Sequence, residues 1–264
     1  MDDIIKNLIQ SQPKSLSIHI IREFLQIHTL YCLSKSKYGK NLAFLGGTAL
    51  RILHNTNRYS QNLDFDLVKL EKRKFQFPDL LNTVTGYFKK QNLPCSYREN
   101  SKRNVYKSMI KFHNLLFDFR LSPHKDEILS IKLEIDTRPN PESKFSSTVI
   151  NKYNLLFPVL RSDLPSMMAG KICAVFKRGY RLGRDFYDLG WYLTRRIEPN
   201  YKYLEKELGI KNKEALGKQL LDLFSKVDME KLISEVEPFL IKKEELFLYS
   251  QLDKVLKDYI QEVA

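Results

Sequence analysis

Residues 42 to 68 restrict the fold of this chain more than any other stretch. A four-residue apolar run, Leu42-Ala43-Phe44-Leu45, stops at Gly46-Gly47. A short segment with helical spacing follows, and Asn62-Leu63-Asp64-Phe65-Asp66-Leu67-Val68 then alternates polar and apolar residues. Alternation with a period of two marks a strand with one buried face, whereas a bounded apolar run of four marks a fully buried strand. The pattern therefore predicts a buried strand over 42–45, a glycine turn, a helix over 48–55 with Thr48 near its start, and a strand over 62–68.

Two more helices are expected ahead of this unit, over 3–11 and 15–36, the second capped by Ser15 and striped by Ile18, Ile21, Phe24, Leu25, Ile27 and Leu30. After it come a helix over 79–91, opened by Pro78, and β-like runs near 95–99, 104–121 and 129–136. From about 162 the pattern turns helical to the end, near 163–178, 184–196, 200–208, 212–225, 228–237 and 244–262. The expected class is α+β: residues 1–160 form a domain with a mixed β-sheet flanked by helices, and residues 161–264 form an all-α bundle.

Charge separates the same two parts. Residues 1–196 carry 33 Lys and Arg against 17 Asp and Glu, while residues 197–264 carry 11 against 14. A basic front portion suits a polyanionic partner, and a lysine-rich solvated surface would give the same count. Three widely spaced cysteines with no CxxC, and five histidines with no HExxH, speak against a disulfide framework or a zinc site. No window reaches the ~18 apolar residues a membrane helix requires, and no leader-like segment opens the chain. The expected setting is cytoplasmic, with no membrane partner.

The chemistry begins at the glycines. Gly46 and Gly47 can adopt backbone angles closed to other residues and let a phosphate approach the main chain. A helix starting at Thr48 would aim its unpaired N–H groups and positive dipole end at that phosphate. A Gly-Gly turn alone is more often a plain tight turn. Asp64 and Asp66, ~6.6 Å apart on one strand face, add a second signal. Neighbouring carboxylates repel unless a cation lies between them, and oxygen ligands of this kind suit Mg²⁺ held together with substrate phosphates. A solvated strand face is the bland alternative. Ile131-Lys132-Leu133-Glu134-Ile135-Asp136 offers a third carboxylate, either Glu134 or Asp136, if its strand lies beside 62–68, with Lys132 free to hold a phosphate.

Further on, Lys171 and Arg178 stand two helical turns apart, and Arg181, Arg184, Asp185 and Asp188 follow. Such a set can clamp a triphosphate or an RNA backbone. It can equally form salt bridges between helices, and Asp185, early in its helix, suits the dipole for structural reasons alone.

Taken in order, "GGTAL", "RYSQNLDFDL", "IKLEI", Lys171 with Arg178, and Arg181-x-x-Arg184-Asp185-x-x-Asp188 resemble the motifs of the AbiEii/AbiGii-type nucleotidyltransferase toxins. These belong to bacterial abortive-infection and toxin–antitoxin systems and are relatives of the DNA polymerase β-like transferase fold. The resemblance covers about residues 40–195 and implies a nucleotidyltransferase fold for the front domain. It implies that Gly46 and Gly47 cradle the triphosphate, with Thr48, Arg58, Ser60, Lys132, Lys171, Arg178, Arg184 and Asp185 completing the nucleotide site. It further implies that Asp64, Asp66 and Glu134 hold Mg²⁺, with Asp188 a catalytic residue beside them. The implied reaction moves a nucleotide from an NTP to an acceptor, tRNA foremost, under control of a cognate antitoxin. The family pattern has an aspartate where this chain has Asn62, and Asp66 can restore the pair by a two-residue shift on the same face. A non-catalytic nucleotide- or RNA-binding module, and a phosphotransferase acting on a protein or antibiotic, are the competing readings.

Overall fold

The computed structural model describes residues 1–10, 13–177 and 183–261. The chain divides into two compact units. The first comprises Met1–Asn55, Tyr59–Pro139 and Phe145–Arg161; the second comprises Thr56–Arg58, Asn140–Lys144 and Ser162–Ala264.

The first unit opens with α1 (Asp2–Gln10) and α2 (Ser17–Lys35), followed by β1 (Leu42–Leu45), α3 (Gly46–His54), β2 (Asn62–Leu67) and α4 (Phe77–Lys90). Next come β3 (Cys95–Glu99), β4 (Val105–Phe112), the single turn α5 (Leu115–Asp118), β5 (Leu129–Asp136), β6 (Phe145–Lys152) and β7 (Leu155–Ser162). The seven strands form one mixed sheet in the order β3-β4-β5-β2-β1-β7-β6. Antiparallel pairing joins β1 to β2, β3 to β4 and β4 to β5, while β2 with β5 and β1 with β7 run parallel.

Alternation along the strands sorts their residues between two faces. Leu63 and Phe65 on β2, Ile110 and Phe112 on β4, and Leu129, Ile131, Leu133 and Ile135 on β5 are buried. α4 lies over this apolar face: Phe88 meets Phe112 edge-on at 4.9 Å, Phe77 meets Tyr106 at 5.2 Å, and Tyr97 reaches Asn82. α2, which packs on β5, is buried around most of its circumference, as a helix at the centre of a core must be. The other face carries the polar residues of β2–β5, among them Asp64, Asp66, Lys107, Lys132, Glu134 and Asp136.

Two stretches differ from expectation. The run near 104–121 is a strand only to Phe112, after which Asn114 takes φ +59° and α5 begins. Residues 145–162, which the sequence pattern leaves unassigned, form the hairpin β6–β7. β6 buries only Ile150, so no hydrophobic period announces it. Its turn does leave a local trace: Tyr153 (φ +52°) and Asn154 (φ +60°) have the paired left-handed angles of a tight hairpin turn, for which Asn is favoured.

The second unit holds the helices α6 (Leu164–Lys177), α7 (Gly183–Thr194), α8 (Tyr201–Leu208), α9 (Lys213–Phe224), α10 (Met229–Val236), α11 (Glu245–Ser250) and α12 (Leu252–Gln261). Asn200, Asn212 and Asp228 cap α8, α9 and α10, each side chain accepting a bond from the N–H three residues on. α7 is the central element, with Phe186, Leu189, Tyr192 and Leu193 almost fully buried. Its first residue must be small, because a Cβ on Gly183 would collide with the Leu232 carbonyl oxygen of α10. Among the described residues, no helix is long and apolar enough to cross a membrane.

Candidate active site

In the first unit, the chemistry gathers where β1 turns into α3. Gly46 has φ +80°, an angle that glycine adopts without strain. A Cβ there would lie 2.7 Å from Asp64 Oδ2, so the carboxylate rests directly against bare backbone. α3 begins without a side-chain cap from Leu45 and has no acid in its own first turn, so the acid at the positive end of its dipole is Asp64 from β2. Thr48 is fully buried, and its hydroxyl donates to the Asn62 carbonyl. It ties α3 to the start of β2. Ser60 is partly buried, and its carbonyl accepts from the Gln26 amide at 3.0 Å.

Register decides which acids meet. β2 runs parallel to β5 with Asn62 opposite Lys132, Asp64 opposite Glu134 and Asp66 opposite Asp136. Burial, and after it the Asp136 and Asp64 carboxylates, push the Asp66 carboxyl up to about 7. Glu134 lies in a different environment. Lys107 Nζ is 2.6 Å from its Oε1, and Lys132 Nζ is 2.8 Å from its Oε2. Burial alone would raise the Glu134 pKa, but the two ammonium groups outweigh it and hold the side chain ionised. Glu134 thus stands opposite Asp64 with each of its oxygens paired to a lysine, and Asp136 stands opposite Asp66. Lys107, which sequence reasoning missed, is revealed only by the β4–β5 register that sets it opposite Glu134.

Among the described residues, no group of three or more His, Cys, Asp or Glu side chains converges into a ready-made metal cage. The donors present are oxygens on Asp64 and Asp66, next to Asp136, with the Asp66 carboxyl disfavoured as an anion by burial and then by its neighbours. Such a set fits Mg²⁺, which commonly binds through one or two carboxylates and takes its remaining ligands from water and substrate phosphates.

The second unit contains a separate ionic cluster. Arg58 is 2% exposed and grips Asp188 with two bonds, Nε to Oδ1 at 2.7 Å and Nη2 to Oδ2 at 2.6 Å. Lys171 on α6 lies 2.7 Å from Asp185 Oδ1 and 2.8 Å from Asp188 Oδ2 on α7. Burial opposes the charge of Asp188, but Arg58 and Lys171 prevail and lower its pKa. Burial likewise opposes Lys171, whose pKa Asp188 and Asp185 raise. Two cations and two anions thus neutralise one another inside the unit. The Asp188 side chain is fully buried between Arg58 and Lys171. Arg58, Lys171 and Asp185, expected at the nucleotide, are brought together in this cluster. Arg184 lays its guanidinium 4.8 Å from the centre of the Phe239 ring. Arg178 and Arg181 lie outside the described residues.

Residues 28–257 match the family model described as nucleotidyl transferase AbiEii toxin, type IV toxin–antitoxin system. The chain belongs to the AbiEii family. No curated protein matches it in sequence. Among solved structures, the crystal structure of JHP933 from Helicobacter pylori is similar with a TM-score of 0.54 at 20% identity, over 93% of each chain. A candidate nucleotidyltransferase from H. pylori is similar with a TM-score of 0.54 at 18% identity, over 93% of this chain and 97% of that one. At such identities the likeness is one of fold. The AbiEii assignment establishes a nucleotidyl transferase family; the β1–α3 turn with β2 and β5 is where this member concentrates carboxylates against a helix start.

Proposed function

We propose that this AbiEii-family chain is a Mg²⁺-dependent nucleotidyltransferase acting in the cytoplasm. It moves a nucleotide from an NTP to the 3′ end of an RNA acceptor, tRNA foremost, as a toxin restrained by a cognate antitoxin. The observation that carries this reading is the β2–β5 register, which sets Asp64 and Asp66 on one face with Asp136 beside Asp66 and the Gly46 backbone against Asp64. That arrangement supports the reading, with anionic ligands for a cation beside the start of α3, whose first N–H groups suit phosphate oxygens.

Each side chain then has a limited task. Gly46 and Gly47 leave room for the triphosphate, and the first N–H groups of α3 orient it. Asp64 and Asp66 hold Mg²⁺, with Asp136 as the further acid within reach. When bound, Mg²⁺ offsets the charge of the phosphates and favours ionisation of the acceptor hydroxyl. Lys132 and Lys107 keep Glu134 ionised and in place. Nothing in this scheme requires a covalent enzyme intermediate, because phosphate transfers of this class depend on positioning and charge stabilisation.

Incubation with α- or γ-labelled NTPs, Mg²⁺ and unfractionated tRNA tests the reading. It predicts α-label in tRNA that disappears with chelator. Retained RNA binding with no transfer would mean a binding module, and γ-label in protein or a drug would mean a phosphotransferase.

A further inference from the structure

The ladder of residues on the polar sheet face extends beyond the carboxylates. Successive rows across the strands read Ser96–Lys111–Ser130, then Arg98–Met109–Lys132–Asn62, then Lys107–Glu134–Asp64, then Val105–Asp136–Asp66. Strands lie ~4.8 Å apart and rows ~6.7 Å apart, so Arg98, Lys107, Lys111 and Lys132 occupy a patch of roughly 10 by 14 Å. Ser96 and Arg98 are exposed, Lys111 is partly exposed, and the Lys107 and Lys132 side chains are 34% and 35% exposed. The only acids on this face of β3–β5 are Glu134, which both lysines already neutralise, and Asp136 at the carboxylate end. The acids therefore lie at the Asp66 end of the face, and beyond them it carries cations alone.

Position gives this patch its meaning. Leu45 of β1 pairs with Asp64 on one side, and Glu134 of β5 pairs with it on the other. The glycine turn thus flanks the aspartates on the β1 side, and the basic ladder flanks them on the β5–β4 side. We propose that this basic face of β3–β5 holds the phosphate backbone of the acceptor RNA and brings its 3′ hydroxyl to Asp64 and Asp66 from the flank opposite the nucleotide. The surface rests on the nucleotidyltransferase reading for its acceptor. No aromatic side chain stands on this face of the three strands to stack a base, so the contact reads phosphate charge and tolerates any sequence.

Filter binding of unfractionated tRNA between 50 and 200 mM salt tests the surface, with native protein compared with Arg98→Gln/Lys111→Gln. Each phosphate contact contributes about 0.7–0.9 to the slope of log affinity on log salt. Losing two should flatten the slope by about 1.4–1.8 and weaken binding roughly 25- to 60-fold at 0.1 M salt. The KM for RNA should rise while the KM for NTP stays within about twofold of native. Arg98→Lys/Lys111→Arg, which keeps both charges, should bind as native protein does and controls for folding. An unchanged slope in the Gln variant overturns the proposal. So does an equal loss in Lys218→Gln/Lys254→Gln, two exposed lysines of the second unit, or a native protein that binds no tRNA. If native protein binds through this face yet transfers no nucleotide, the surface stands and the proposed activity falls.

Discussion

The Asp64 carboxylate lies against the Gly46 backbone so closely that a Cβ on Gly46 would come within 2.7 Å of Oδ2. Gly46 also has φ +80°, where a side chain costs about 1–2 kcal/mol even in open space. Gly46→Ala should therefore lower stability by about that amount and displace Asp64. The expected signature is a loss of nucleotide transfer far larger than the change in melting temperature. Equal and small effects on both would place Asp64 away from the chemistry.

Asn62, Asp64 and Asp66 share one strand face; Asn62 stands opposite Lys132, whereas Asp64 and Asp66 each stand opposite an acid, Glu134 and Asp136. The working pair is therefore expected to be Asp64 and Asp66. Asp66→Asn should melt higher than native protein in metal-free buffer at pH 8, because a repelled anion is removed, and should lose the stabilisation that Mg²⁺ gives native protein. Asp66→Ala should eliminate transfer, whereas Asn62→Asp should change it little. A sharp rise in the activity of Asn62→Asp, with Asp66→Ala active, would reassign the pair to positions 62 and 64.

Removing one member of the Arg58–Asp188–Lys171–Asp185 cluster leaves a buried charge without its partner. The cost of such a loss is about 3–5 kcal/mol. Asp188→Ala should lower the melting temperature by roughly 10 °C, with the second unit affected first. Protein that keeps native stability but loses transfer would instead assign Asp188 to the chemistry.

His28 on α2 packs its ring 4.3 Å from that of Phe24 and bonds the Tyr87 hydroxyl through Nδ1 at 2.7 Å. Burial drives its pKa from 6.5 down to about 4. Between those values the unfolded chain binds a proton that the folded chain does not, so stability falls as pH drops from about 6.5 to 4. The contribution at stake is about 3 kcal/mol. Thermal melts from pH 7 to pH 4 should show this decline, and it should be flatter in His28→Gln. Identical pH profiles for the two proteins would contradict the assignment.

How much was legible in the sequence depended on the range of the interaction. The alternation of Asn62–Leu67 and Leu129–Asp136 is local, and both strands appear where that pattern puts them. The Gly46 turn was visible for the same reason, since its requirement lies in one residue's own backbone. β6 was missed because an edge strand with a single buried residue carries no period to detect. The basic and acidic motifs from Lys171 to Asp188 were read as ligand-facing, although interhelical pairing was equally compatible with them. Charge pattern specifies a residue's chemistry but not its partner.

By itself, the sequence determined that Asp64 and Asp66 share the polar face of a strand behind a glycine turn, because side-chain alternation is built into an extended backbone. Only the tertiary structure decided that Asp136, and not Glu134, stands beside Asp66, because one residue of slip between β2 and β5 would change every opposed pair. It also decided that Arg58 meets Asp188 across 130 residues of chain. Burial makes each charge depend on the other, since two charges removed from water persist only by neutralising each other.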